Sequence, residues 1–110
     1  RLPMLYMPDA LRAMTQLMEA DGERLRVRTS YNLAGMSFTP AEQARSIRNE
    51  MPGFAIHYQP DFRQQIADSW PESIDDSWAR SDWDWKPQFG LDAMTRDMLA
   101  HLKKDIEVTL

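Results

Sequence analysis

Apolar residues in this chain recur at two different spacings, and that change of period most limits what it can fold into. Leu11, Met14, Leu17 and Met18 follow the three-and-four spacing of a helix. Leu25, Val27, Thr29, Tyr31 and Leu33 then alternate with Arg24, Arg26, Arg28, Ser30 and Asn32, the period that gives a strand one apolar and one polar face. Helical spacing returns at Ala41, Ala44 and Ile47, and alternation at Phe54, Ile56 and Tyr58. A long helical stripe closes the chain at Leu91, Met94, Met98, Leu102 and Ile106, with Leu99 beside it. Strands separated by helices predict an α/β class, with helices covering a small sheet.

Local punctuation agrees with the periodicity. Asp9, after Pro8, is placed to cap the first helix, which should run to about Ala20 and stop at the Asp21-Gly22 turn. Thr39-Pro40-Ala41-Glu42 is a capping box in which hydroxyl and carboxylate each satisfy a free N–H, and that helix should end near Pro52-Gly53. Asp61 should cap a short helix ahead of Pro71, and Asp75 or Asp76 another through Trp78 and Arg80. Lys103 and Lys104 near the end of the last helix suit its dipole. Leu2 to Met7 reads as a strand entered from its first residue, so the expectation is a C-terminal piece of a longer protein. With no repeat and no flexible linker, residues 1–110 read as a single unit.

Charge and composition remove several function classes. A net charge of −4 argues against a dedicated nucleic-acid binder or a binder of anionic membrane surfaces. The absence of cysteine excludes disulfides and thiolate metal sites and fits a cytoplasmic address. No apolar run approaches the ~20 residues that span a bilayer. Neither a glycine-rich phosphate loop nor a nucleophile beside a base is present. His57 and His101 lack a partner at ligand spacing and read as structural or solvent-facing. Arg24, Arg26 and Arg28 read as a solvated basic face, and the eight methionines as core filler. Asp75 and Asp76 read as helix caps, and Trp83 and Trp85 as bolts that fix a loop to the core. Trp70 differs. Held between Ser69 and Pro71 just past a short helix, it reads as the wall of a binding site, with a core role as the alternative.

Taken together, these segments resemble the C-terminal region of the short-chain-type L-threonine 3-dehydrogenases, relatives of the UDP-galactose 4-epimerases. The resemblance rests on Leu2 to Ala13 (LPMLYMPDALRA), Ser30 to Ala34 (SYNLA), Met36 to Pro40 (MSFTP) and Asp61 to Pro71 (DFRQQIADSWP). It continues through Asp75-Asp76-Ser77, Ala79-Arg80, Asp82-Trp83 and Trp85-Lys86. It implies a small substrate-binding lobe of an extended short-chain dehydrogenase, without the Rossmann cofactor half. The implied reaction is NAD-dependent oxidation of L-threonine to 2-amino-3-ketobutyrate, in an enzyme that works as a homo-oligomer with this lobe as a lid.

The same resemblance implies that Trp70 closes over the bound amino acid. Arg63 matches loosely a phosphate-binding arginine of nucleotide-sugar relatives and would steady the substrate carboxylate; the alternative is a contact along its own helix. Tyr6 and Met7 are expected near the junction with the cofactor half. The family's Tyr-x-x-x-Lys pair is missing, since Tyr6, Tyr31 and Tyr58 are followed four residues later by Ala10, Gly35 and Phe62. The expectation is therefore no catalytic residue and no NAD site in this chain alone. Two other readings stay open: the same region of a nucleotide-sugar epimerase or dehydratase, and a free-standing interaction module with an apolar surface.

Overall fold

The computed structural model of the protein describes residues 1–27 and 29–109, with side chains up to residue 106. Arg28 of the basic face lies outside the described residues. In chain order the elements are β1 (Leu2–Met4), α1 (Met7–Glu19), a 3-10 turn (Gly22–Arg24), β2 (Met36–Phe38), α2 (Pro40–Glu50), α3 (Arg63–Asp68), α4 (Ser77–Trp83) and α5 (Leu91–Thr109). β1 and β2 pair antiparallel, with Leu2 opposite Phe38 and Met4 opposite Met36. Gly35 lets the chain enter this ribbon. A Cβ there would lie 2.9 Å from the Met4 carbonyl oxygen and 2.8 Å from Leu5 Cδ1, a gap only glycine fits.

The class is α/β as read, but the sheet is a two-stranded ribbon. Among the described residues, those at 25–27 and 29–33 form no strand ladder. Leu25, Val27, Tyr31 and Leu33 are partly buried while Arg26, Ser30 and Asn32 are exposed, so the alternation reports burial except at Thr29, which is exposed although it falls on the apolar side. A strand also needs a hydrogen-bonding neighbour. Here the Arg26 N–H is taken by the Asp82 carboxylate at 3.0 Å instead of by a strand. Phe54 to Tyr58 likewise forms no strand.

Buried at the centre are Ala13 of α1, Ala79 and Trp83 of α4, and Trp85 just beyond, ringed by Leu5, Leu17, Leu25, Tyr31 and Leu33. The two tryptophans serve as the bolts expected of them. Trp85 donates its indole N–H to Ala34 O at 3.1 Å, and the Arg12 guanidinium stacks 4.8 Å above its ring. Trp83 receives Tyr31 edge-on at 4.7 Å. α4 ends on Asp84 in the left-handed region, φ 60°, where aspartate is better tolerated than most side chains.

Several caps fall where the sequence puts them. Thr39 Oγ1 accepts from the Glu42 N–H at 3.2 Å, while the Glu42 carboxylate pairs with Arg1 rather than completing the box. Asp61 Oδ1 accepts from Arg63 N–H at 2.9 Å and Asp75 Oδ1 from Ser77 N–H at 3.0 Å, each from one position before the N-cap, which is Phe62 in α3 and Asp76 in α4. Asp76 instead bridges to Arg80 at 2.7 Å. Asp9 is not the cap of its own helix. Tyr6 holds that position, and buried Asp9 turns inward to accept the N–H groups of Gln88 and Phe89, each at 3.0 Å. α1 stops at Ala20 in an extended conformation, and Gly22 opens the 3-10 turn.

The apolar stripes hold a larger correction. Leu11, Met14 and Met18 on α1 face solvent, as do Met98, Leu102 and Ile106 on α5. Of the methionines, Met4, Met7, Met14, Met18, Met51 and Met98 are exposed, so most do not fill a core within this chain. α5 is held near its start, where Ser46 Oγ lies 2.7 Å from Asp92 Oδ1 and 2.9 Å from Thr95 Oγ1. Tyr6 adds a hydroxyl bond to Asp97 at 2.7 Å. The whole is a slab of 51 × 39 × 21 Å with a radius of gyration of 17.3 Å, against about 13 Å for a compact domain of this length.

Candidate functional site

α3 is six residues long, and local bonds set its geometry. Asp61 holds the first N–H, Gln64 Nε2 reaches Asp68 Oδ1 at 2.8 Å, and Ser69 Oγ returns to Ile66 O at 2.6 Å. The Trp70 N–H then bonds Ala67 O at 3.1 Å, and Pro71 prevents another turn. The backbone is fixed while the indole stays 56% exposed. A tryptophan so held, yet not buried, presents a flat apolar wall to whatever approaches.

That wall borders a cleft of about 150 Å³, floored by Leu2 of β1, Pro40 of α2 and Ala67 of α3. Arg1, Gln64, Asp68 and Glu72 supply its polar rim. Arg1 donates to Ser37 O at 2.8 Å and pairs with Glu42, and Ser37 Oγ bonds Glu72 O at 2.5 Å, which ties the ribbon to the segment after Trp70. A cleft this size suits a small metabolite; larger ligands occupy roughly 300–1,000 Å³. It offers one positive group, two carboxylates, an amide and an indole, a set suited to a small zwitterion.

The structure thus brings Trp70 to a cleft, and the cleft lining does not include Arg63. The Arg63 guanidinium lies over Asp61, with Nε 3.0 Å from Oδ1 and Nη2 2.6 Å from Oδ2. This pair lowers the Asp61 pKa and raises that of Arg63. Its local partner is two residues back rather than one turn ahead. The rim residues Arg1, Asp68 and Glu72 were not singled out by sequence. Gln64 and Asp68 carried a signal, being one turn apart on the helix that precedes Trp70. Arg1 had none, because only the β1–β2 pairing brings it there.

The remaining candidates lie elsewhere. His57 is exposed in a loop. His101 is exposed on α5, its Nδ1 2.8 Å from Asp97 O and 3.6 Å from Asp97 Oδ1, a carboxylate neighbour one turn back that the sequence reading overlooked. Arg26 stacks 4.6 Å over Trp78 and bonds Asp82 and Ser81, whereas Arg24 pairs with Asp84. Among the described residues, no group of three or more acidic or histidine side chains is placed to hold a metal ion. Nor is any described helix long and apolar enough to cross a membrane.

A dinucleotide cofactor does not fit the residues described. Its pyrophosphate needs a glycine-rich turn from strand to helix. Here β1 passes to α1 through Leu5 and Tyr6, and β2 to α2 through Thr39, while Gly35 backs onto Leu5.

No protein-family model matches the chain. A GalE-like L-threonine dehydrogenase from Cupriavidus necator, of known structure, is 62% identical with a TM-score of 0.86, over 91% of this chain and 32% of that one. The mitochondrial L-threonine 3-dehydrogenase of Sus scrofa is 51% identical over 100 residues, 90% of this chain and 26% of the pig protein. An uncharacterised epimerase/dehydratase of Staphylococcus haemolyticus is 44% identical over 104 residues, 94% of this chain and 33% of its own length. The chain therefore spans a quarter to a third of the length of these relatives.

Proposed function

Because this chain matches the C-terminal portion of L-threonine 3-dehydrogenases and of epimerase/dehydratase-like proteins, we propose that it is the substrate side of an NAD-dependent L-threonine 3-dehydrogenase. The observation that carries this reading is Trp70, held rigidly at its backbone and exposed at its ring over a small cleft of mixed charge. L-threonine would lie against the indole, its carboxylate toward Arg1 and its ammonium toward Asp68 or Glu72. Covering the substrate excludes water and strengthens these charge contacts. Arg63, which does not line the cleft, would act through its hold on Asp61.

The cofactor and the proton-transfer residues would belong to the part of the enzyme that precedes this segment in the relatives. This chain supplies binding, orientation and closure. The Staphylococcus relative favours a second reading, a nucleotide-sugar epimerase or dehydratase. The cleft is small for a nucleotide sugar, which places that reading second.

The test is a chimera in which the N-terminal two thirds of the Cupriavidus necator enzyme is followed by this chain. NADH formation at 340 nm with L-threonine is expected, and Trp70→Ala should lower kcat/KM more than tenfold. A folded, NAD-binding chimera that leaves threonine untouched but turns over a UDP-sugar would reverse the order of the two readings. Full activity in Trp70→Ala would keep the substrate and reduce Trp70 to packing.

A further inference from the structure

We propose that Asp68, oriented by Gln64, receives the substrate's ammonium and so restricts the enzyme to amino acids among 3-hydroxy acids. This deepens, and rests on, the reading of the chain as the substrate side of a threonine dehydrogenase. Gln64 and Asp68 stand one turn apart on α3, and Gln64 Nε2 donates to Asp68 Oδ1 at 2.8 Å. Both line the cleft that Trp70 borders.

The company Asp68 keeps sets it apart. Asp9, Asp61, Asp76, Asp82 and Asp84 each pair with an arginine at 2.6 to 3.2 Å. Among the described residues no cation forms an ion pair with Asp68, and the side chain that holds it is a neutral amide. Such a donor fixes one carboxylate oxygen and leaves both the negative charge and the second oxygen for a ligand. Arg1 lines the same cleft, anchored by Ser37 O and Glu42. The two together match the carboxylate and the ammonium of one zwitterion.

Asp68 is a better receptor than Glu72, the other carboxylate of the rim. Glu72 follows Pro71 and has one more rotatable bond, so ordering it on a ligand costs more side-chain entropy. Asp68 is ordered beforehand by Gln64, and preorganised groups bind more tightly. Backbone bonds from Ser69 N–H to Ile66 O and from Trp70 N–H to Ala67 O tie the tryptophan to α3. The indole that covers the ligand and the carboxylate that receives its ammonium therefore belong to one rigid piece. Selectivity follows from closure. With an ammonium present, Trp70 covers a neutralised pair; without one, it covers an unpaired carboxylate, which is costly. A site built on such a polar contact rejects the analogue that lacks it far more strongly than an apolar pocket rejects a missing methylene.

The probes are L-threonine and (R)-3-hydroxybutyrate, which is threonine without its amine and with the same configuration at the hydroxyl carbon. In the Cupriavidus chimera, NADH formation gives kcat and KM for threonine, and competition against it gives Ki for (R)-3-hydroxybutyrate. Asp68→Asn should raise the threonine KM by about tenfold or more, with kcat little changed, as expected for a contact made equally in the ground and transition states. The Ki of (R)-3-hydroxybutyrate should stay the same or fall. Gln64→Leu should raise the threonine KM by less, because it frees Asp68 without removing its charge.

An unchanged threonine KM in Asp68→Asn overturns the proposal. So does equal weakening of both ligands, which would make Asp68 a structural residue of α3. A larger loss in Glu72→Gln than in Asp68→Asn overturns it as well and gives the ammonium to Glu72. A folded, NAD-binding chimera that does not oxidise threonine sinks the substrate reading itself. Threonine oxidation indifferent to Asp68 keeps that reading and removes only this assignment.

Discussion

Asp82 gathers three donors on one buried carboxylate: the Tyr31 hydroxyl at 2.6 Å, the Arg26 Nε at 2.6 Å and the Arg26 backbone N–H at 3.0 Å. The Tyr31 bond contributes most to holding its pKa below the ordinary 3.8, with Arg26 adding to it and burial working against both. Tyr31 also accepts the Val27 N–H at 3.2 Å, so one hydroxyl both donates to Asp82 and holds Val27. Tyr31→Phe should therefore raise the Asp82 pKa, followed by carboxyl NMR, and lower the urea midpoint; an unmoved pKa would show that Arg26 alone sets it. Gly35 is the residue whose absence of a side chain matters most. Gly35→Ala drives a Cβ into the Met4 carbonyl, and overpacking of this kind costs about 1–3 kcal/mol, readable in the same urea titration.

Between elements, Asp9 and Thr39 use the same chemistry with different reach. Thr39 caps its own helix, and Thr39→Ala should cost about 1 kcal/mol. Asp9 sits on α1 but serves the Gln88 and Phe89 amides ahead of α5. Asp9→Ala leaves two inward-facing amides unpaired and should cost about 1–3 kcal/mol for each that water cannot reach. A smaller loss for Asp9→Ala than for Thr39→Ala in denaturant titrations would show that the 88–89 segment reorganises. This difference in reach separates what sequence disclosed from what it did not. Caps at Thr39, Asp61 and Asp75 are local, and Trp70 was legible because Ser69 and Pro71 beside it fix its backbone. Asp9 looked local and was not. The alternation from Leu25 to Leu33 revealed burial, but pairing is decided by what lies alongside, and there it is Asp82. Arg1 comes to the Trp70 cleft from the far end of the chain by way of the β1–β2 pairing, which no spacing along the chain could report, whereas Glu72 lies two residues past Trp70. Nor could the stripe on α1 say which of its two apolar faces this chain covers.

For the molecule as a whole, these local charges set how stability depends on pH. Asp61, Asp75 and Asp82 all have pKa values below the ordinary 3.8, through bonds to Arg63, Ser77 and Tyr31 respectively. A carboxylate lowered in the folded state contributes stability that is complete above its unfolded pKa and lost as pH falls through the folded one. Tyr6 is the opposite case. Its bond to Asp97 raises it above 10.0, so its contribution is complete below that value and lost as pH rises through the folded pKa. Melting temperature should then be flat from roughly pH 5 to 9 and fall on both sides. The three aspartates do not contribute equally. Asp61 and Asp75 bond residues two positions away, contacts that an unfolded chain partly retains, whereas Asp82 joins segments more than 50 residues apart. Asp82→Asn should therefore remove most of the acid limb, and Asp61→Asn little of it. Circular-dichroism melts from pH 2.5 to 11 decide the matter. Equal flattening by the two variants would mean that the acid limb reports local caps, and that Asp82 does not hold the 25–31 segment to α4.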